Sequence, residues 1–166
     1  EFTLGKKEKL GGFIAMGGLI RNSGAGEELP ALFYYPDNWN GSVTIYPTAR
    51  GKAGLYLGKP SSPTDTVRAL LDQGHAVAGV DLFGQGEFLA EGEDAAGNQS
   101  GTYSGKKDLD PDSWQRSPVY YYGYNDSIFV RRVHDLLTTL KMIVSLIIFK
   151  IETKFRSASI KIRRKR

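Results

Sequence analysis

The sequence predicts an α/β protein, a mostly parallel sheet with helices against it. Three observations carry that expectation. Ser42 to Leu82 spells strand, loop, helix, strand, the order of a parallel crossover unit. Within it, Ala76 to Leu82 carries a single charge, Asp81, so it suits a strand buried on both faces, as in a sheet covered by helices. Finally, Val133, Leu136, Leu137, Leu140, Ile143, Val144 and Ile147 recur at the spacing of one apolar helix face.

In chain order, residues 1–30 are rich in Gly and Lys, with short apolar pieces such as Phe13-Ile14-Ala15-Met16 between glycine pairs. Irregular structure or a short hairpin on an outer edge is expected there. Leu29 to Tyr35 and Ser42 to Tyr46 read as strands, with turn residues from Pro36 to Gly41 between them. Thr48 to Pro63 is a loop punctuated by Gly51, Gly54, Gly58, Pro60 and Pro63. Thr64 can cap a helix whose stripe is Val67, Leu70 and Leu71 and whose stop is Gly74. The strand from His75 follows, and Gly84 and Gly86 let the chain turn sharply after it. Leu89 to Tyr124 is long and polar, and Asn125 or Asp126 can cap the final helix. Ser157 to Ile162 alternates polar and apolar residues, the pattern of a half-buried strand that could patch an open sheet edge.

Composition narrows the chemistry. With 166 residues there is room for one core, and with no cysteine there is no disulfide, thiolate metal site or cysteine nucleophile. Two histidines, His75 and His134, do not suggest a histidine-built metal cluster, and each reads as a structural residue. The net charge of +4 hides an asymmetry. From Lys141 onward nine basic residues face one acidic residue, for +8, whereas residues 1–140 hold 13 basic and 17 acidic residues, for −4. No stretch reaches the ~18 apolar residues of a membrane span. The chain starts at Glu1 with no initiator Met and no basic-then-apolar stretch, so a truncated amino terminus that has lost any signal peptide is expected and no localisation is assigned. Three glycosylation sequons, at Asn40, Asn98 and Asn125, are weak signals.

Four blocks together resemble one family. Arg21 to Pro36 (RNSGAGEELPALFYYP), Val43 to Tyr56 (VTIYPTARGKAGLY), Ala76 to Phe88 (AVAGVDLFGQGEF) and Gly123 to Leu140 (GYNDSIFVRRVHDLLTTL) are similar to the first half of an α/β-hydrolase. The acetyl xylan esterase-like, dienelactone-hydrolase-related subgroup is the nearest. The resemblance covers about residues 20–142 and implies an incomplete α/β-hydrolase fold, its first strands and first two helices. It also implies a serine carboxylic-ester hydrolase with a Ser-Asp-His triad and no cofactor. The implied substrate of an intact member is a small-molecule or carbohydrate ester. The nucleophile of such enzymes sits in a G-x-S-x-G elbow, and no such motif occurs in these residues.

From about Met142 the sequence departs from the family into Ile-, Lys- and Arg-rich text. The expected organisation is therefore residues 1–142 as the amino-terminal half of a hydrolase domain and 143–166 as a divergent basic tail, a truncation or frameshift product. No catalytic residue and no metal ligand is assigned.

The resemblance implies one oxyanion-hole N–H after Pro47, making the backbone of Thr48 and Ala49 the candidates. Gly84, Gly86, Tyr122 and Tyr124 are candidates for the substrate pocket. Asp81 reads as a brace for the Gly84–Gly86 turn. A dinucleotide site is set aside because G-x-G-x-x-G would need glycine where Leu89 stands. The alternative function is a non-catalytic binding protein whose basic tail contacts nucleic acid or an anionic surface. Neither nucleic acid nor membrane is the favoured partner, since a solvated terminus is the better reading of the tail.

Overall fold

The computed structural model describes residues 1–89 and 128–163. Its strands are β1 (Phe2–Leu10), β2 (Phe13–Asn22), β3 (Glu27–Pro36), β4 (Val43–Ile45) and β5 (Ala76–Val80). Helix α1 (Asp65–Asp72) lies between β4 and β5, and helix α2 (Ile128–Arg163) ends the described chain. Short 3-10 turns occupy Gly51–Leu55 and Gly86–Phe88.

The strands form one mixed sheet in the order β1-β2-β3-β5-β4. Pairs β1–β2, β2–β3 and β3–β5 are antiparallel, and only β4–β5 is parallel. This corrects the expected mostly parallel α/β sheet, and with it the expected incomplete α/β-hydrolase fold. The reason is physical. All five residues of β5 are buried, and an unbroken apolar run reports burial on both faces without reporting the direction of the neighbouring strands. Here β5 lies inside the sheet, antiparallel to β3 on one side and parallel to the edge strand β4 on the other.

The β4–α1–β5 unit forms as its sequence pattern predicts. Thr64 caps α1, its side chain accepting from the Val67 N–H, and Gly74 follows the helix with φ +82°. Of the two forms expected for residues 1–30, the hairpin on an outer edge is the one observed, longer than expected, and the chain continues from it into β3. Gly12 supplies the positive φ its turn needs, and β2 pairs along its whole length with β3. Gly18 lies where β1 crosses closely, since a Cβ there would stand 2.2 Å from the Thr3 carbonyl oxygen.

Two apolar clusters hold the faces of the sheet. On one, Leu55, Val67 and Leu71 pack with Phe13, Leu32, Tyr34 and Val77. On the other, Met142 and Ile143 of α2 pack with Ile20, Leu29, Ala31, Ala78, Val80 and Leu82. Tyr34 is fully buried with its hydroxyl donating to the Pro60 carbonyl at 2.6 Å, which ties the loop after β4 to the sheet.

Helix α2 departs from expectation in two ways. Its backbone stays helical through Ser157 to Ile162, where strand alternation was expected. Its seating is also rotated from the apolar face the periodicity marks. Asp135, Thr138, Thr139, Met142 and Ile143 are buried, whereas Val133, Leu137, Leu140 and Val144 are 38–57% exposed. No helix among the described residues is long and apolar enough to cross a membrane.

Candidate functional site

The carboxyl ends of parallel neighbours β4 and β5 deliver two loops to one place, and Asp81 joins them. Its carboxylate is 1% exposed and fully engaged. Oδ1 accepts from the Lys52 backbone N–H at 2.8 Å, while Oδ2 accepts from the Lys52 ammonium at 2.5 Å and the Glu87 N–H at 3.1 Å. The same ammonium reaches Glu87 Oε1 at 2.5 Å. A charge this deep is tolerated because charged and neutral donors together replace its water.

Two glycines make room for that carboxylate. Gly51 and Gly86 have φ +59° and +53°, and a Cβ on either would stand 2.2 Å from Asp81 side-chain atoms. Only glycine provides both the left-handed backbone and the space. Gly84, at φ +71°, lies in the same turn.

Thr48 shapes the loop after β4. Its hydroxyl donates to the Gly51 carbonyl at 2.7 Å and accepts from the Arg50 N–H at 3.1 Å. Gly54 lets Thr48 close in, since a Cβ there would meet its hydroxyl at 2.1 Å. Gln85, 5% exposed, crosses between the loops, its Nε2 donating to the Ala49 carbonyl at 3.4 Å. Its Oε1 is buried with no hydrogen-bond partner among the described residues. The backbone N–H groups of Thr48 and Ala49 likewise donate to no acceptor among the described residues. The arrangement can therefore offer two backbone donors from a loop fixed on both sides. Among the described residues it contains no activated nucleophile.

A second cleft, of about 420 Å³, opens on the other side of the turn, with Glu27, Phe83, Phe88, Arg131 and His134 among its walls. Here α2 grips the Phe83 peptide at both ends. Asp135 accepts from the Phe83 N–H at 2.7 Å, and Arg132 Nε donates to the Phe83 carbonyl at 3.0 Å. Burial pushes the Asp135 carboxyl above the usual range, opposed by the Phe83 N–H it accepts from. His134 Nδ1 lies 2.6 Å from Glu27 Oε1, whose other oxygen accepts from Thr138 and Asn22 at 3.1 Å. His134 thus fastens α2 to β3. His75 Nδ1 meets the Thr44 hydroxyl at 3.2 Å across β4 and β5.

Of the candidates from sequence, Thr48, Ala49, Gly84 and Gly86 come together around Asp81. Tyr122 and Tyr124 lie outside the described residues. Sequence reasoning overlooked Lys52, Gln85, Arg132 and Asp135. The polar Gln85 between two glycines was the available signal for one of them. Among the described residues no group of three His, Cys, Asp or Glu side chains is placed to hold a metal ion.

In comparisons with known proteins, no family model, no curated protein and no solved structure matches the chain.

Proposed function

We propose that this chain is a fragment of a serine carboxylic-ester hydrolase, acetyl xylan esterase-like, that supplies the oxyanion-binding loop but no nucleophile. The observation that carries the reading is the backbone of Thr48 and Ala49, the candidates for one oxyanion donor, on a loop anchored to the buried Asp81 by Lys52. Ester hydrolysis passes through a tetrahedral oxyanion, and donors already fixed in place stabilise it without reorganising, ~2.7–4 kcal/mol for a single donor. Gln85 serves as a positioning residue by holding the Ala49 carbonyl.

The four sequence blocks give the reaction class, and the missing G-x-S-x-G gives the expectation that the chain alone is inactive. The coding DNA beyond the Met142 codon is the test. A G-x-S-x-G within roughly 15 residues after Met142 in another frame, and ester hydrolysis by the frame-restored protein, are expected. A restored or independently verified frame without that motif overturns the reading.

A further inference from the structure

The cleft bordered by Phe83 and His134 has every acid in its wall engaged. Glu28 meets Arg21 Nε at 2.6 Å, and Asp135 accepts from the Phe83 N–H at 2.7 Å. Glu27 is held by His134 at 2.6 Å and by Thr138 and Asn22 at 3.1 Å. Two other groups are left uncommitted. The Arg131 guanidinium lies over the Phe83 ring, 4.8 Å from its centroid, and forms no ion pair or hydrogen bond among the described residues.

The second is Nε2 of His134. A ring nitrogen 2.6 Å from a carboxylate oxygen carries a proton, so Glu27 fixes the hydrogen on Nδ1 and leaves the lone pair of the neutral ring on Nε2. Nε2 has no partner among the described residues, and the side chain is 53% exposed where it lines the cleft. Thr138 and Asn22, holding the other Glu27 oxygen, keep that carboxylate and hence the ring from turning. Arg131 and His134 are three residues apart on α2, so a donor and an acceptor stand side by side on one face of the helix.

We infer that this cleft binds a phenol, a small aromatic molecule bearing a hydroxyl. A hydroxyl answers both groups at once, its O–H donating to His134 Nε2 and its oxygen accepting from the Arg131 guanidinium. Leu29, Phe83 and Phe88 supply apolar walls for the ring, and Phe88 is 44% exposed, an aromatic face that a bound ring would cover. The volume of about 420 cubic Å lies in the range of small-molecule sites. A carboxylate suits the cleft less, since it brings no proton for Nε2 and would stand beside Glu27. The site is apart from the Thr48–Ala49 loop and does not depend on ester hydrolysis.

Titration of 2-naphthol with the full chain at about pH 8, where a free histidine is neutral, followed by naphthol fluorescence anisotropy, tests this. Saturable binding is expected, at least about tenfold tighter than that of the methyl ether, which keeps the oxygen but has no proton to give. Equal binding of the two overturns the inference, as does naphthol binding that never saturates. Arg131→Met should weaken naphthol at least about tenfold and leave naphthalene unchanged, and a variant that binds naphthol as the parent does is equally fatal. Should that variant unfold, as circular dichroism would show, the comparison of naphthol with its ether on the unaltered chain decides alone. His75 and His134 are the only histidines, so nitrogen NMR of the imidazoles reads the contact directly. Naphthol should move the Nε2 resonance of His134 and not that of His75, and an unmoved His134 would refute the site.

Discussion

Lys52 holds Asp81 twice, through its backbone N–H at 2.8 Å and through its ammonium at 2.5 Å. One residue of the loop after β4 thus supplies both a neutral and a charged donor to the carboxylate that ends β5. Breaking such a buried pair from the carboxylate side leaves the Lys52 and Glu87 backbone N–H groups without their acceptor and the Lys52 ammonium with Glu87 alone. Asp81→Ala is expected to cost ~3–5 kcal/mol in urea unfolding. Lys52→Met should cost less, ~1.5–3 kcal/mol, because the two backbone donors to Asp81 remain. Equal costs for the two variants would contradict the arrangement.

The two glycines around that carboxylate should be intolerant of even a methyl group. Gly51→Ala and Gly86→Ala combine a left-handed backbone, ~1–2 kcal/mol, with overlap on Asp81, ~1–3 kcal/mol. Gly12→Ala serves as the control, since φ is +87° there but no atom lies within 4 Å of the added Cβ. Thermal unfolding should rank Gly12→Ala as the mildest of the three.

Asp135 gives a pH dependence of definite sign. Its carboxyl is raised by burial, so folding favours the protonated form, and that contribution is fully present below about pH 4. It is lost as pH rises through the raised value. Asp135→Asn keeps an acceptor for the Phe83 N–H and removes the buried charge. At pH 7 it should equal the parent or exceed it by up to ~1 kcal/mol, with a flatter stability profile in acid. A clear loss of stability at pH 7 would show that the charge itself is needed.

Tyr34 acts at the alkaline end. Burial, with Tyr56 nearby, pushes its hydroxyl well above the usual tyrosine range. The unfolded chain ionises near pH 10 while the folded one keeps its proton, so stability falls as pH rises past that point. Tyr34→Phe should cost ~1 kcal/mol at neutral pH through the lost bond to Pro60 and should blunt the alkaline decline.

Hydrolysis by the chain as it stands should be absent. Release of p-nitrophenol from p-nitrophenyl acetate is expected to match a heat-inactivated control. Saturable turnover above that control would require a nucleophile that the proposal denies.

Much of the fold was legible where local chemistry decides it. Thr64, the Val67, Leu70 and Leu71 stripe and Gly74 together define α1, and the apolar run after His75 defines β5. Strand direction was not legible, because burial of Ala76 to Val80 is equally compatible with either kind of neighbour. The amino-terminal hairpin was masked by its lysines, which suit an exposed edge strand yet lack the alternation that would mark one. In α2 the polar Asp135 and Thr138 are buried through partners distant in sequence, Phe83 and Glu27, while Thr139 donates back to the Asp135 carbonyl. Periodicity sees none of these contacts. Around Asp81, the glycines were visible in the sequence, but the contribution of Lys52 depends on a fold that brings two loops together.

The position of β5 also sets the order in which this molecule can assemble. Strands β1, β2 and β3 form a meander of neighbours in sequence, whose closures are short and entropically cheap. Strand β5 arrives only after the chain has travelled through β4 and α1, and it must slot between β3 and β4. Until it does, the inner border of the meander stands bare, and a ribosome-fresh or partly denatured chain can stick to its neighbours there. Slow refolding and dilution-dependent recovery would be the laboratory signs of that late insertion.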